Sequence, residues 1–165
     1  MTLTRVRCLI LACGNTLRSD DGIGPCLADW AEDCFAQDPG IRIISRQQWT
    51  PDLAEDLASA DAVLFLDCSV ESAPGEVQLR TVTPQPSDPG LATHHTGAAE
   101  LLAIARELYG SAPRTSVLLT IGAGSTELGE TFSPAVQSAI GHAQEEIRRI
   151  LRDVIPTSTQ RHGGV

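Results

Sequence analysis

A chain of 165 residues that is 42% hydrophobic but only 4% aromatic holds enough aliphatic side chains for one folded domain, which excludes a disordered protein. Its 21 acidic residues outnumber the 12 basic ones and give a net charge of −9, so neither a nucleic acid nor an acidic membrane surface is an expected partner. Every basic residue is Arg, and the absence of Lys excludes both a Schiff-base lysine and a phosphate-loop lysine.

The cysteines indicate the compartment. They are odd in number (five) and none forms a Cys-x-x-Cys pair, which favours free thiols in a reducing cytoplasm. We expect them to be small core residues, with Cys8 and Cys13 on a strand and Cys26 and Cys34 on a helix face. No segment has the ~20 consecutive apolar residues of a membrane span, and the apolar run near the start is too short for a signal peptide. The expected location is the cytoplasm.

Strand-like and helix-like segments alternate along the chain. Continuous apolar runs predict buried parallel strands, and apolar residues at i, i+3, i+4 and i+7 predict amphipathic helices. On one such helix we expect Leu101, Leu102, Ala105 and Leu108 to face inward. In chain order we predict a strand over 6–13, a helix over 23–35, a strand over 41–45, a helix from 50–51, a strand over 62–66, a less buried strand over 76–82, a proline-rich surface loop over 83–92, a helix over 96–109, a strand over 116–121 and a helix over 133–154.

This order predicts an α/β fold, a three-layer α/β/α sandwich around a mostly parallel twisted sheet with right-handed crossovers. For the less buried strand over 76–82 an antiparallel direction is left open. Neither an internal repeat nor a linker divides the chain. We therefore expect a single α/β domain over 1–155 and a disordered tail over 156–165.

Polar side chains stand where the predicted strands end, which is where open α/β sheets bind ligands. Asp20 and Asp21 follow the first strand, Asp67 ends the third, and His94 and His95 precede a helix. The turn after the first strand lacks the full GxGxxG spacing, and its two carboxylates oppose a phosphate, so a dinucleotide site is disfavoured. Helix capping accounts for one of the two carboxylates. We expect at least one of them to be functional.

Together, two carboxylates and one imidazole form an oxygen and nitrogen donor set suited to a divalent transition ion. A closed structural zinc site is less expected, because such sites use four ligands rich in thiolate. Conventional protease motifs are absent, since the sequence contains neither GxSxG nor HExxH. A nucleophilic pair of Cys68 with His94 is a minor alternative.

The most specific motif of the chain is GNTLRSDDGIG over residues 14–24. It is similar to the GN-x-L-x-x-D-(D/E)-G-x-G signature of the hydrogenase maturation proteases, the endopeptidases that trim the C-terminal extension of the large subunit of [NiFe] hydrogenases. A strand that ends in Asp67, a His-x-x-Gly motif over 94–97, and the segments 127–129 and 132–134 also resemble that family. The resemblance covers residues 6–154 and implies a parallel-rich α/β sandwich.

The resemblance implies that Asp21, Asp67 and His94 are the catalytic and metal-contacting set. The resemblance further implies that the metal is nickel, supplied by the large-subunit precursor instead of being permanently bound. The chain would then be a metal-dependent or metal-recognising endopeptidase that removes the C-terminal extension of the nickel-loaded precursor, its protein partner. Three residues depart from the pattern: Ala12 replaces a frequent Gly, Asp21 a Glu of some members, and Cys68 a frequent Ala. The alternative is a non-catalytic metal- or nucleotide-binding module on a similar fold.

Overall fold

The structure is a computed structural model of the chain and describes residues 5–87 and 96–154. Two short 3-10 turns, Ser19–Gly22 and Pro51–Leu53, lead directly into the first and second helices. The strands and helices, in chain order, are β1 (Val6–Cys13), α1 (Ile23–Phe35), β2 (Ile41–Arg46), α2 (Ala54–Ala58), β3 (Ala60–Ser69), β4 (Val77–Thr81), α3 (Ala98–Tyr109), β5 (Thr115–Gly122) and α4 (Pro134–Val154).

The strands form one sheet in the order β2-β1-β3-β5-β4. β1 pairs in parallel with β2 and with β3, and β3 pairs in parallel with β5. The edge strand β4 runs antiparallel to β5, which answers the question that the sequence left open for this strand. The predicted, mostly parallel sheet is confirmed.

Alternate residues of the inner strands bury opposite faces of the sheet, as strand geometry requires. On β3, Leu64 and Leu66 pack with α1 and α4, whereas Val63 and Phe65 pack with α2 and α3. Each face therefore has its own aliphatic core, and the sheet is the middle layer between two pairs of helices. The predicted α/β/α sandwich is confirmed.

Several local predictions differ from the structure. β3 extends to Ser69, so Asp67 lies within the strand instead of directly after it. The segment after Thr50 forms a 3-10 turn and only five residues of α-helix. The predicted burial of Cys34 and Leu108 is wrong. Cys34 is exposed although the adjacent Phe35 packs against the core, and Leu108 is 68% exposed because residues 106–109, the last turn of α3, are all exposed. The predicted tail lies outside the described residues. Within the described ranges, no helix is both long and apolar enough to cross a membrane.

Candidate active site

The carboxyl ends of β1 and β3 border an open cleft of about 660 Å³. Asp21, from the turn after β1, and Asp67, near the end of β3, both line this cleft, which we name the Asp21–Asp67 cleft. β1 lies between β2 and β3 in the sheet. After β1 the chain crosses to β2 on one side, and after β3 it continues to β4 and β5 on the other side, so the connections diverge between β1 and β3. Open α/β sheets bind their ligands at such a switch point.

Asp21 is positioned by the tight turn over residues 14–21. A Cβ on Gly14 would lie 2.0 Å from the carbonyl oxygen of Asp21, so this close approach requires glycine. The backbone N–H of Asn15 donates to Oδ2 of Asp21 at 2.7 Å. Within residues 5–87 and 96–154, no hydrogen-bond donor is placed on Oδ1 of Asp21. One carboxylate oxygen is thus fixed by the turn, and the other has no hydrogen-bond donor among the described residues.

Asp67 projects from the face of the sheet that carries α2 and α3, as its register with Phe65 dictates. Its Oδ1 accepts the backbone N–H of Cys68 at 2.7 Å. On the neighbouring strand, the thiol of Cys13 lies close enough to this carboxylate for the Asp67 charge to raise its pKa. The Asp67 side chain is therefore fixed by a backbone N–H of β3 and lies beside β1.

The charges of Asp21 and Asp67 converge on the same two thiols. Burial raises the pKa of Cys13 above its ordinary value, and the carboxylates of Asp67 and Asp21 raise it further. Burial likewise raises the pKa of Cys68 to about 12, with Asp21 and Asp67 adding to the effect. Both thiols stay protonated at neutral pH, which argues against the predicted alternative of a Cys68 nucleophile.

Asp20 has a structural role that the sequence did not reveal. It is fully buried and accepts hydrogen bonds from the backbone N–H and the hydroxyl of Ser133, both at 2.7 Å, and from the N–H groups of Gly124 at 2.7 Å and Ser125 at 3.0 Å. Burial raises the pKa of Asp20, but these hydrogen bonds outweigh it and hold the pKa below its ordinary value. Neither Asp20 nor Asp21 caps a helix through its side chain, so the capping interpretation is wrong.

The structure brings together two of the three predicted site residues. Asp21 and Asp67 share the cleft, whereas His94 and the neighbouring His95 lie outside the described residues. In the part of the chain that the structure describes, no three His, Cys, Asp or Glu side chains are grouped to hold a metal ion. Two carboxylates nevertheless offer the oxygen donors that many divalent ions accept, and an imidazole would complete the set.

Sequence reasoning missed three further residues of the cleft. Cys13 is the last residue of β1, Arg18 lies in the turn that follows β1, and Trp49 follows β2. Each stands at or just beyond the carboxyl end of a parallel strand, the same position that singled out Asp21 and Asp67. Trp49 is also a buried residue of the core on the α2 and α3 side of the sheet, so its type and spacing carry no signal of a site.

The fold and the cleft define a three-layer α/β protein with an acidic site at the ends of β1 and β3. No protein-family model matches the chain. Over 152 residues it is 25% identical to the hydrogenase 2 maturation protease of Escherichia coli, an alignment that covers 90% of this chain and 92% of that relative. The match extends along nearly the whole of both proteins.

Solved structures agree with this relationship. The hydrogenase maturating endopeptidase HybD of E. coli has a TM-score of 0.72 at 24% identity, covering 89% of this chain and 93% of HybD. The hydrogenase 2 maturation peptidase of a Thaumarchaeota archaeon has a TM-score of 0.64 at 26% identity, covering 88% and 97%. The resemblance to the hydrogenase maturation proteases predicted from the motifs is therefore confirmed: the chain is similar in sequence and in fold to proteins of that name.

Proposed function

We propose that this protein is a cytoplasmic endopeptidase that removes the C-terminal extension from the nickel-loaded precursor of a [NiFe] hydrogenase large subunit. The observation that carries the proposal is the presence of Asp21 and Asp67 in one open cleft, within a fold shared with hydrogenase maturation endopeptidases. His94, assigned from the His-x-x-Gly motif alone, completes the proposed set. The precursor and its nickel are together the substrate.

The roles follow from the oxygen and nitrogen donors of these three side chains. Asp21 offers the oxygen that its turn leaves unbonded, and Asp67 offers a carboxylate fixed by β3 beside β1. With the imidazole of His94 they would hold the nickel of the precursor and so fix the nearby peptide bond. A bound ion of this kind polarises a carbonyl or lowers the pKa of a water molecule. Either carboxylate is chemically able to accept the proton of an attacking water.

The surface around the cleft supports a folded protein as the substrate. Leu17, Val70 and Leu128 follow the ends of β1, β3 and β5, and they are 55%, 78% and 80% exposed. The backbone N–H of Gly129 donates to the carbonyl of Leu17 at 2.9 Å, so the loops that carry Leu17 and Leu128 are in contact. Large apolar side chains exposed around a polar cleft are typical of a protein-binding rim.

The direct test is to incubate the protein with a hydrogenase large-subunit precursor and to measure the mass of the product. Loss of one defined C-terminal peptide from the nickel-loaded precursor, with none lost from the nickel-free precursor, supports the proposal. Tight binding of the loaded precursor without any cleavage would contradict it and favour a non-catalytic binding module. Cleavage of both precursors at equal rates would contradict the role of nickel.

A further inference from the structure

The turn that carries Asp21 contains a residue with an unusual backbone, Ser19. Its φ angle is 52°, and no other non-glycine residue in the ranges 5–87 and 96–154 has a positive φ. The left-handed conformation brings the Cβ atom of an L-residue close to the following carbonyl oxygen, so a residue other than glycine adopts it at a cost. Such residues persist only where the surroundings impose the conformation, and they are concentrated at functional sites.

The surroundings that impose this conformation lie in the loop after β5. The backbone N–H of Ser19 donates to the carbonyl of Gly129 at 2.8 Å, and the Ser19 hydroxyl donates to the carbonyl of Glu127, also at 2.8 Å. In return, the backbone N–H of Gly129 donates to the carbonyl of Leu17 at 2.9 Å. The two segments thus meet in a short parallel bridge that uses the side chain of Ser19 as well as its backbone.

The conformation of Ser19 is passed on to Asp21 through a rigid turn. Ser19–Gly22 is a single 3-10 turn, so the direction in which the chain leaves Ser19 also sets the position of Asp21. Asp21 is further connected to the residues before Ser19. Its backbone N–H donates to the carbonyl of Arg18 at 3.1 Å, and its Oδ2 accepts the N–H of Asn15 at 2.7 Å. A change at Ser19 would therefore move the Asp21 carboxylate relative to the cleft.

We propose that Ser19 is a positioning residue for Asp21. Its hydroxyl, bonded to Glu127, keeps the backbone left-handed, and this conformation directs the carboxylate of Asp21 into the cleft. In this role Ser19 contacts neither the precursor nor its nickel, and it acts on the reaction through Asp21 alone. The inference rests on the proposed function and deepens it, because it makes the loop after β5 part of what sets the geometry of the site.

The kinetic test uses a precursor that the wild type cuts. Ser19→Ala removes the hydroxyl and should lower kcat about tenfold, a loss typical of residues that orient a metal-contacting side chain, while KM stays within about twofold. Ser59→Ala is the matched control. The Ser59 hydroxyl also donates to backbone carbonyls, but the residue precedes β3, at the end of the strand opposite to Asp67. It should leave kcat and KM unchanged. Wild-type kcat in Ser19→Ala would overturn the proposal.

A double-mutant cycle with Gly129 gives a readout that a general loss of stability does not produce. Apart from its chain neighbours, a Cβ on Gly129 would meet only the Oγ of Ser19, at 3.0 Å. Gly129→Ala should therefore displace the hydroxyl and lower kcat, also if Ser19→Ala itself does not fold. In the Ser19→Ala background the hydroxyl is gone, so the added Gly129→Ala should have little further effect. Losses that multiply in the double variant would contradict the proposal.

The position of the Asp21 carboxylate can be measured without any cleavage. The backbone N–H of Asn15 donates to Oδ2 of Asp21, so its proton NMR signal reports that hydrogen bond. Asp21→Ala removes the acceptor and gives the position of the signal without the bond. We expect Ser19→Ala to move the Asn15 signal towards that position and Ser59→Ala to leave it in place.

The two measurements together separate this inference from the proposed function. If Ser19→Ala moves the Asn15 signal but the wild type cuts no precursor, the proposed function fails and the positioning role stands. If the wild type cuts the precursor and Ser19→Ala retains its kcat, the positioning role is wrong and the protease assignment stands. An Asn15 signal that is unchanged in Ser19→Ala overturns the positioning role whatever the kinetics show.

Discussion

Asp20 and Ser133, which are 113 residues apart in the sequence, are joined by two hydrogen bonds of 2.7 Å. They connect the turn after β1 to the residue that precedes α4. The connection is reinforced nearby, where the backbone N–H of Ser19 donates to the carbonyl of Gly129 at 2.8 Å. Since Asp21 follows Asp20 directly, the loop after β5 helps to hold Asp21 at the cleft.

Replacing Asp20 by Asn should destabilise the fold. The new amide group cannot accept the three N–H groups and one hydroxyl that converge on this fully buried position. We expect the free energy of unfolding to fall by about 3 kcal/mol, measured by urea denaturation. Ser133→Ala removes only the hydroxyl donor and should cost about 1 kcal/mol. Equal stability of Asp20→Asn and the wild type would show that this network is not stabilising.

The same network predicts a specific response to acid. Hydrogen bonds outweigh burial and keep the pKa of Asp20 below its ordinary value of 3.8. The unfolded chain therefore takes up this proton more readily, so the stabilisation is complete above pH 3.8 and is lost as the pH falls through the folded-state pKa. The difference in free energy of unfolding between wild type and Asp20→Asn should be constant near neutral pH and shrink below 3.8. A difference that grows in acid would contradict the assignment.

The exposed rim of the cleft should contribute to binding of the precursor. Leu128→Ser removes an apolar side chain that is 80% exposed, so the fold should tolerate the change. We expect KM for the precursor to rise roughly fivefold, about 1 kcal/mol of lost apolar burial, with kcat unchanged. Leu108→Ser is the matched control, since Leu108 is 68% exposed in the last turn of α3, at the opposite end of that helix from the cleft. Equal effects of the two changes would exclude a docking rim at Leu128.

Processing should not depend on a cysteine nucleophile. Because burial and the neighbouring carboxylates raise the pKa of Cys68 to about 12, its thiol carries almost no thiolate at neutral pH. Treatment with iodoacetamide should modify the exposed Cys34 and leave the processing rate within about twofold. Cys68→Ala should also retain processing. Loss of activity in Cys68→Ala, with the fold intact by circular dichroism, would restore the cysteine alternative.

The sequence predicted the fold well because its signals are local and repeated. Runs such as 62–66 consist of apolar residues only, whereas an amphipathic segment alternates apolar and polar residues. Such runs therefore predict buried strands, and with the helices between them they predict the α/β class. The strand order and the direction of β4 depend on contacts between distant segments, which periodicity does not encode. Leu108 illustrates a second limit, since helical spacing alone does not tell where a helix passes the edge of the core.

The site was predictable in part, because ligands of α/β folds bind at the carboxyl ends of strands. That rule singled out Asp21 and Asp67, and the structure places both in one cleft. It did not separate the roles of Asp20 and Asp21, since the donors that claim Asp20 come from Ser133 and its neighbours, more than 100 positions away. The assignment of His94 rests on the motif and remains a prediction.

The central claim is that Asp21 and Asp67 act on the precursor from one cleft. The most direct measurement is the rate at which Asp21→Asn, Asp67→Asn and the control Asp29→Asn, an exposed position on α1, process the nickel-loaded precursor. We expect losses of at least about a hundredfold for the first two, with thermal stability retained, and an unchanged rate for the control. Wild-type rates in both Asp21→Asn and Asp67→Asn would contradict the account.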